Sequence, residues 1–142
     1  MEYLVDWLIP NEIIYMYWPE DVTLEIIDDL NDIVVEMMDD AATYTDKIHL
    51  IIDARSIEAV PLNLFDMRKA LTVYDHPNCG WSWTLSHSKV ITFLASSLPQ
   101  MVTHVPFKIF ADVGQMMYFI QGVDPEFTPD NMNRWLLHHL AA

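Results

Sequence analysis

The sequence predicts one α/β domain in which helices cover a mixed sheet of about five strands. The run Ile48–Ile52 is apolar and rich in β-branched residues, which is typical of a strand buried on both faces. An amphipathic stretch, Thr23–Asp40, predicts a long helix just before it. Strand-like and helix-like segments then alternate, and such alternation produces a parallel or mixed sheet. The 142 residues, 52% of them hydrophobic, are enough for a single core.

Residues 1–18 predict an N-terminal β-hairpin. The two segments Tyr3–Ile9 and Ile13–Trp18 are rich in β-branched and aromatic residues, which favour strands. Between them, Pro10-Asn11-Glu12 has the composition of a turn.

The helix Thr23–Asp40 has one apolar and one acidic side. Thr23 or Asp21 can cap its start. Seven apolar residues recur at spacings of three and four: Ile26, Ile27, Leu30, Ile33, Val34, Met37 and Met38. The opposite side holds like charges four residues apart, with no basic residue among them. Four such pairs cost the helix about 1–2 kcal/mol in total, less than the burial of the apolar side contributes. The acidic side, which we name the acidic face, is a candidate partner surface and comprises Glu25, Asp28, Asp29, Asp32 and Glu36.

The central strand is predicted to end at Asp53, and the next helix to begin at Pro61. Functional groups of open α/β sheets are often found at the carboxyl ends of such strands. We name the segment here the regulatory turn; its candidate residues are Asp53, Arg55, Ser56, Pro61 and Asn63.

The remaining chain continues the alternation. Its predicted elements are a helix over Leu62–Tyr74, a loop over Asp75–Gly80, a strand over Trp81–Ser86, a helix capped by Ser88, a strand over Phe107–Phe110, a helix from Asp112 through Gln121, and a closing helix over residues 128–140.

The order of elements over Glu12–Val123 resembles the STAS domain family, in particular the SpoIIAA-like anti-sigma-factor antagonists. Its most specific part is the segment IHLIIDARSIEAVP, which resembles the family's strand running into an Asp-led turn and helix. The resemblance implies a non-enzymatic signalling domain whose Ser, at the start of the following helix, is phosphorylated by a partner kinase. Aligning the turns places Leu62 at that Ser and Ser56 at a family Gly. The usual acceptor is therefore missing, and Ser56 is the nearest hydroxyl.

Charge limits the classes of partner. The net charge is −14, and residues 1–60 carry −13 of it, with 15 acids against Lys47 and Arg55. Residues 61–142 carry 6 acids against 5 bases, a net −1. This balance excludes nucleic acid, which requires a basic footprint. It favours a protein partner with a basic surface, while the high apolar content also allows a homodimer.

No catalytic residue, cofactor or metal is predicted. Three scattered glycines cannot form a phosphate-binding loop. Cys79 and His76 supply two potential zinc ligands, whereas zinc sites usually have three or four. The single cysteine and an acidic N-terminus without the features of a signal peptide favour the reducing cytoplasm.

Two alternative functions remain open. The stretch Val90–Phe107 has no charged residue, but its prolines and polar residues argue against a membrane span. A buried helix followed by a buried strand explains it better, and its residues are first of all core residues. The alternative function that it suggests is a carrier or sensor of a lipid or other apolar small molecule, with a pocket between the third helix and the sheet. That pocket would be lined by Trp81, Trp83, Leu94 and Leu98. The lesser alternative is a degenerate receiver-like domain with Asp53 as phospho-acceptor.

Overall fold

A computed structural model describes residues 3–60, 71–100 and 105–142, and shows a five-stranded sheet in sequence order. The first strand is antiparallel to the second and the other neighbouring pairs are parallel, which confirms the predicted α/β class with a mixed sheet. The strands are β1 (Leu4–Ile9), β2 (Ile13–Tyr17), β3 (Ile48–Asp53), β4 (Cys79–Leu85) and β5 (Phe107–Phe110). The start of the predicted second helix at Pro61 lies outside the described residues.

Helices lie on both faces of the sheet. The helices are α1 (Leu24–Ala41), α2 (Leu71–Asp75), α3 (Lys89–Gln100), α4 (Val113–Val123) and α5 (Arg134–Ala141). One hydrophobic core joins α1 and α2 to the sheet, and a second core on the opposite face joins α4 and α5 to it. Helix α3 contacts α2 and β5. None of the helices in the described ranges is long and apolar enough to cross a bilayer.

The hairpin and α1 follow the sequence prediction closely. Asn11 takes a positive φ of 62° in the hairpin turn, a conformation that Asn tolerates well. Thr23 is the N-cap of α1, and its hydroxyl accepts a hydrogen bond from the Ile26 amide at 3.2 Å.

The buried side of α1 is centred one residue later than the sequence suggested. The sequence predicts five isoleucine or leucine residues in the core: Ile26, Leu30, Ile33, Ile51 and Ile91. Leu30, Ile51 and Ile91 are buried, whereas Ile26 and Ile33 are only half-buried. They lie at the margins of a stripe whose fully buried members are Ile27, Leu30, Val34 and Met38.

The closing helix is shorter than the predicted 128–140. Pro129–Asn131 forms only a short 3-10 turn, and α5 begins at Arg134. Asn133 caps α5, since its side chain accepts a hydrogen bond from the Leu136 amide at 3.2 Å. The Asn133 amide donates to the carbonyl of Leu8 at 2.8 Å, which attaches the start of α5 to β1. A second capping residue therefore replaced the Thr128-Pro129 start.

A β-bulge lies where β3 and β4 begin. The register runs from Ile48 opposite Cys79 to Leu50 opposite Ser82, so His49 faces the two residues Gly80 and Trp81. The His49 Nδ1 accepts a hydrogen bond from the Trp81 amide at 2.9 Å. Burial lowers the pKa of His49, which keeps the imidazole neutral and able to accept this bond.

Candidate functional site at the carboxyl end of the central strand

Asp53, the last residue of β3, lies at the centre of a buried polar network. Arg55 binds it in a bidentate manner, with Nε at 2.9 Å from Oδ1 and Nη2 at 2.8 Å from Oδ2. The hydroxyl of Tyr15, on neighbouring β2, donates a short hydrogen bond to Oδ2. Asp53 itself is fully buried. Both carboxylate oxygens are therefore occupied by donors of this chain.

The network keeps Asp53 ionised in spite of its burial. Burial alone would raise the pKa of Asp53, but the hydrogen bonds from Arg55 and Tyr15 and the charge of Arg55 outweigh it, so the pKa lies below its ordinary value. Burial and the hydrogen bond to Asp53 raise the pKa of Tyr15, which therefore remains a hydrogen-bond donor.

The same side chains fasten α5 to the sheet. Arg55 Nη2 also donates to the carbonyl of Leu140 at 2.8 Å, one of the carbonyls that the end of a helix leaves without an internal partner. His139 contributes on the same side, with Nδ1 at 3.1 Å from the Tyr15 hydroxyl. Its ring also packs edge-on against Tyr17, with 4.7 Å between centroids. The network thus joins β2, β3 and α5.

Ser56 is held by a neighbouring strand. The hydroxyl of Tyr17 donates to Ser56 Oγ at 2.7 Å, whereas a turn serine would be expected to bond its own backbone. Beyond Ser56, the amides of Glu58 and Ala59 both donate to the carbonyl of Glu20, at 2.7 and 3.0 Å. The regulatory turn is therefore attached to the segment that precedes α1. Two further residues of the turn, Pro61 and Asn63, lie outside the described residues.

The arrangement around Asp53 is suited to a structural role and not to phosphoryl transfer. A phospho-acceptor aspartate must present a free oxygen to the phosphoryl donor, whereas Asp53 is fully buried and has both oxygens engaged. The geometry therefore argues for Asp53 as a residue that positions the end of β3 and α5. The sequence predicts Asp53 and Arg55 as residues of this site, but not Tyr15 or His139. Tyr15 could have been found from its position within an apolar strand, because a buried tyrosine hydroxyl usually has a hydrogen-bond partner.

The acidic face lies outward along α1. Glu25, Asp29, Asp32 and Glu36 are exposed, and Asp28 is half-buried. Asp39, nearer the end of the helix, is 2.7 Å from His76 Nε2.

Trp81 and Trp83 lie on the side of the sheet that faces α4. Trp83 is fully buried, and Trp81 stacks on it with 6.0 Å between ring centroids. Trp81 also meets Phe119 of α4 edge-on at 5.4 Å. Ser82, between the two tryptophans, lies 3.4 Å from the Tyr74 hydroxyl of α2, the helix that α3 contacts. The structure therefore does not bring Trp81 and Trp83 to α3, and the side chains of Leu94 and Leu98 lie outside its described part.

Cys79 is the first residue of β4, although the sequence placed it in a loop. It is buried, and burial raises the pKa of its thiol to about 12, so the reactive thiolate is disfavoured. Within the ranges that the structure describes, no group of three or more His, Cys, Asp or Glu side chains could hold a metal ion.

Glu12 directly precedes β2, at the end of the strand away from Asp53, and its surroundings disfavour the ionised carboxylate. One of its carboxylate oxygens, Oε2, is buried without a hydrogen-bond partner. Burial and the nearby charges of Asp124 and Glu126 raise the pKa of Glu12 to about 6. The ionised form therefore destabilises the fold at neutral pH.

Replacing Glu12 with glutamine should raise the free energy of unfolding at pH 7.5 by about 0.5–1 kcal/mol, a small value because solvent screens this half-exposed group. The gain should shrink as the pH falls from about 6 to about 4.3. In this range the folded protein binds a proton at Glu12, which removes the repulsion, whereas Glu12 of the unfolded chain is protonated only at its lower pKa. Urea unfolding at several pH values measures this, with Glu58→Gln as an exposed control. Equal gains for both variants, or a gain that persists at acid pH, would contradict the assignment.

Comparison with known proteins finds no match: no family model fits the chain, and no curated protein or solved structure aligns with it significantly.

Proposed function

We propose that this protein is a non-enzymatic regulatory module of the cytoplasm that binds a protein partner with a basic surface through the acidic face of α1. The proposal follows the resemblance to anti-sigma-factor antagonists in kind, but without the phospho-acceptor serine of that family. The partner is a protein because a broad, convex and charged helix surface suits a macromolecular surface better than a small ligand.

The observation that supports the proposal is the outward presentation of the acidic face on a firmly anchored helix. The 18 residues of α1 extend over about 27 Å. Their apolar side is fixed in the core by fully buried Leu30 and Val34, so the backbone positions that carry the carboxylates keep a constant spacing. The like charges cost helix stability, and a partner that supplies cations would offset this cost.

Exposed large apolar side chains lie near both ends of α1. Leu24, the first residue of α1, is 40% exposed, and Tyr44, just after the helix, is 76% exposed. An exposed tyrosine beside charged residues is a frequent anchor in protein interfaces. The surface thus combines steering charge with apolar anchors.

Reversing charge at Asp29 and Glu36 tests this proposal. The double variant Asp29→Lys/Glu36→Lys should lose at least tenfold in the amount of basic protein captured from a cell extract, as measured by quantitative mass spectrometry. Capture by the parent protein should also weaken when salt rises from about 0.05 to 0.5 M, because screening shortens the reach of the charges. Binding should be lost without unfolding, since the double change removes like-charge pairs and leaves the free energy of unfolding equal or up to about 1 kcal/mol higher.

The matched control is Glu20→Lys/Glu58→Lys, which makes the same change in net charge at exposed positions outside α1. Its capture should equal that of the parent. If both double variants lose the same proteins, capture depends on overall charge alone. If neither loses any, the acidic face is only a solvated surface, and the proposed function is wrong.

A further inference from the structure

The outer edge of β5 is open to pairing within the part of the chain that the structure describes. β5 is the last strand of the sheet and pairs there only with β4. The carbonyl of Pro106 accepts a hydrogen bond from the amide of Ser82 in β4 at 3.0 Å, and that of Phe110 accepts one from the amide of Ser86, just after β4, at 2.9 Å. Backbone groups alternate in direction along a strand, so those of Phe107 and Ile109 are directed to the outer edge.

Apolar side chains flank this edge on both sides. On the α4 side, a groove of about 590 Å³ runs between β5 and α4 and is lined in part by Phe110, Phe119 and Tyr118. Tyr118 is 81% exposed. On the α3 side, Val90 and Phe93 are 51% and 62% exposed. Exposed large apolar residues clustered around a strand edge are typical of an association surface.

The charge distribution selects a second copy of this chain as the occupant. The order of strands places β5 at the edge farthest from β1, β2 and the acid-rich segment 1–60, which carries −13. Residues 61–142, which contain β5 and its flanking helices, carry only −1. Two copies that meet at β5 therefore keep their acidic halves apart, whereas two copies that meet at β1 would bring them together.

Lys108 does not block the edge. A lysine on an edge strand often discourages pairing by projecting its charge. Here the ammonium lies over the ring of Phe119, 4.7 Å from its centroid, and 5.6 Å from that of Phe110. These cation–π contacts hold the charge against α4.

We infer that β5 pairs in antiparallel fashion with β5 of a second copy about a two-fold axis, which continues the sheet from one copy into the other. Tyr118, Phe93 and Val90 of the two copies then pack across the axis above and below the paired strands. The acidic faces remain at the outer ends, so this inference does not depend on the proposed function.

Sedimentation velocity on the full chain tests the inference. At concentrations from about 1 to 200 µM, the parent should shift with mass action from one chain of 16.5 kDa to twice that mass. The variants Tyr118→Glu and Phe93→Glu should remain single chains throughout, because each places two like charges at the axis. The control Tyr44→Glu changes an equally exposed tyrosine on the acidic half and should dimerise as the parent does.

Amide hydrogen exchange on the parent identifies the edge directly. Exchange at Ile109 should slow by at least tenfold between the dilute and the concentrated sample, because its amide gains a partner. Lys108 should change far less, since its amide is already directed to β4. A parent that remains a single chain at the highest concentration overturns the inference. So does a dimer that persists in Tyr118→Glu with unchanged exchange at Ile109.

Discussion

Replacing Arg55 with methionine should lower the free energy of unfolding at pH 7 by about 3–5 kcal/mol. Methionine retains an apolar stem but removes both charge-assisted hydrogen bonds to Asp53, leaving an ionised carboxylate in a fully buried position. It also removes the donor to the Leu140 carbonyl, so the end of α5 should loosen. Chemical denaturation measures the loss, and amide exchange of α5 should show faster opening than that of α1.

Two further variants separate the buried pair from the loss of a cation in general. Arg134→Met removes an arginine at an exposed position and should change the free energy of unfolding by less than about 0.5 kcal/mol. The double variant Asp53→Asn/Arg55→Met should regain part of the loss, because the neutral amide no longer buries a charge. A loss for Arg55→Met no larger than that for Arg134→Met would show that the network contributes little.

Acid pH should affect the parent and Arg55→Met in opposite directions. In the parent, the pKa of Asp53 is lowered, so the stability it contributes is complete above its unfolded pKa of about 4 and is lost as the pH falls through the lower folded value. In Arg55→Met, burial without a cation should raise that pKa above 4. Folding then takes up a proton, and the deficit relative to the parent should shrink as the pH is lowered from 7 towards 4.

The fold was predictable where one short-range signal dominated. The β-branched run of β3, the two-sided pattern of α1 and the caps Thr23 and Asp112 all gave the correct elements. The predicted start of the last helix was wrong because two capping signals competed there. Asn133, and not Thr128-Pro129, precedes the helix, since its side chain caps α5 and its amide donates a hydrogen bond to β1.

The site was predictable only in part. The end of a buried strand located Asp53, and Arg55 followed from its position two residues later. Tyr15 lies 38 residues before Asp53 in the chain, and His139 lies 124 residues after Tyr15. Their contacts therefore depend on the order of the strands and on where α5 packs. The predicted pocket around Trp81 and Trp83 was placed at the wrong helix because the sequence does not indicate which face of β4 packs against which helix. When a strand is apolar on both sides, its local sequence pattern specifies neither its distant contact partners nor the face of the sheet to which each side chain points.

The bulge at Gly80 could not be read from the sequence, and it should be highly sensitive to substitution. Gly80→Ala should lower the free energy of unfolding by about 2–4 kcal/mol. A Cβ atom added at Gly80 would collide with the His49 ring, since it would overlap Nδ1 and lie only 2.7 Å from Cε1. It would also lie 3.3 Å from the carbonyl oxygen of Ile48. To make room, His49 must turn away and release the Trp81 amide.

A glycine-to-alanine change elsewhere gives the control for Gly80→Ala. Gly122 of α4 has no atom within 4 Å of an added Cβ, so Gly122→Ala should instead stabilise by about 0.5–1 kcal/mol through helix propensity. The double variant His49→Ala/Gly80→Ala should be more stable than the sum of its single changes predicts, because the alanine at 49 leaves space for the new methyl group. Urea unfolding of five proteins decides the matter: the parent, Gly80→Ala, His49→Ala, Gly122→Ala and the double variant. Additive losses, or a Gly80→Ala variant as stable as the parent, would mean that the contact between His49 and Gly80 does not hold β3 and β4 in register.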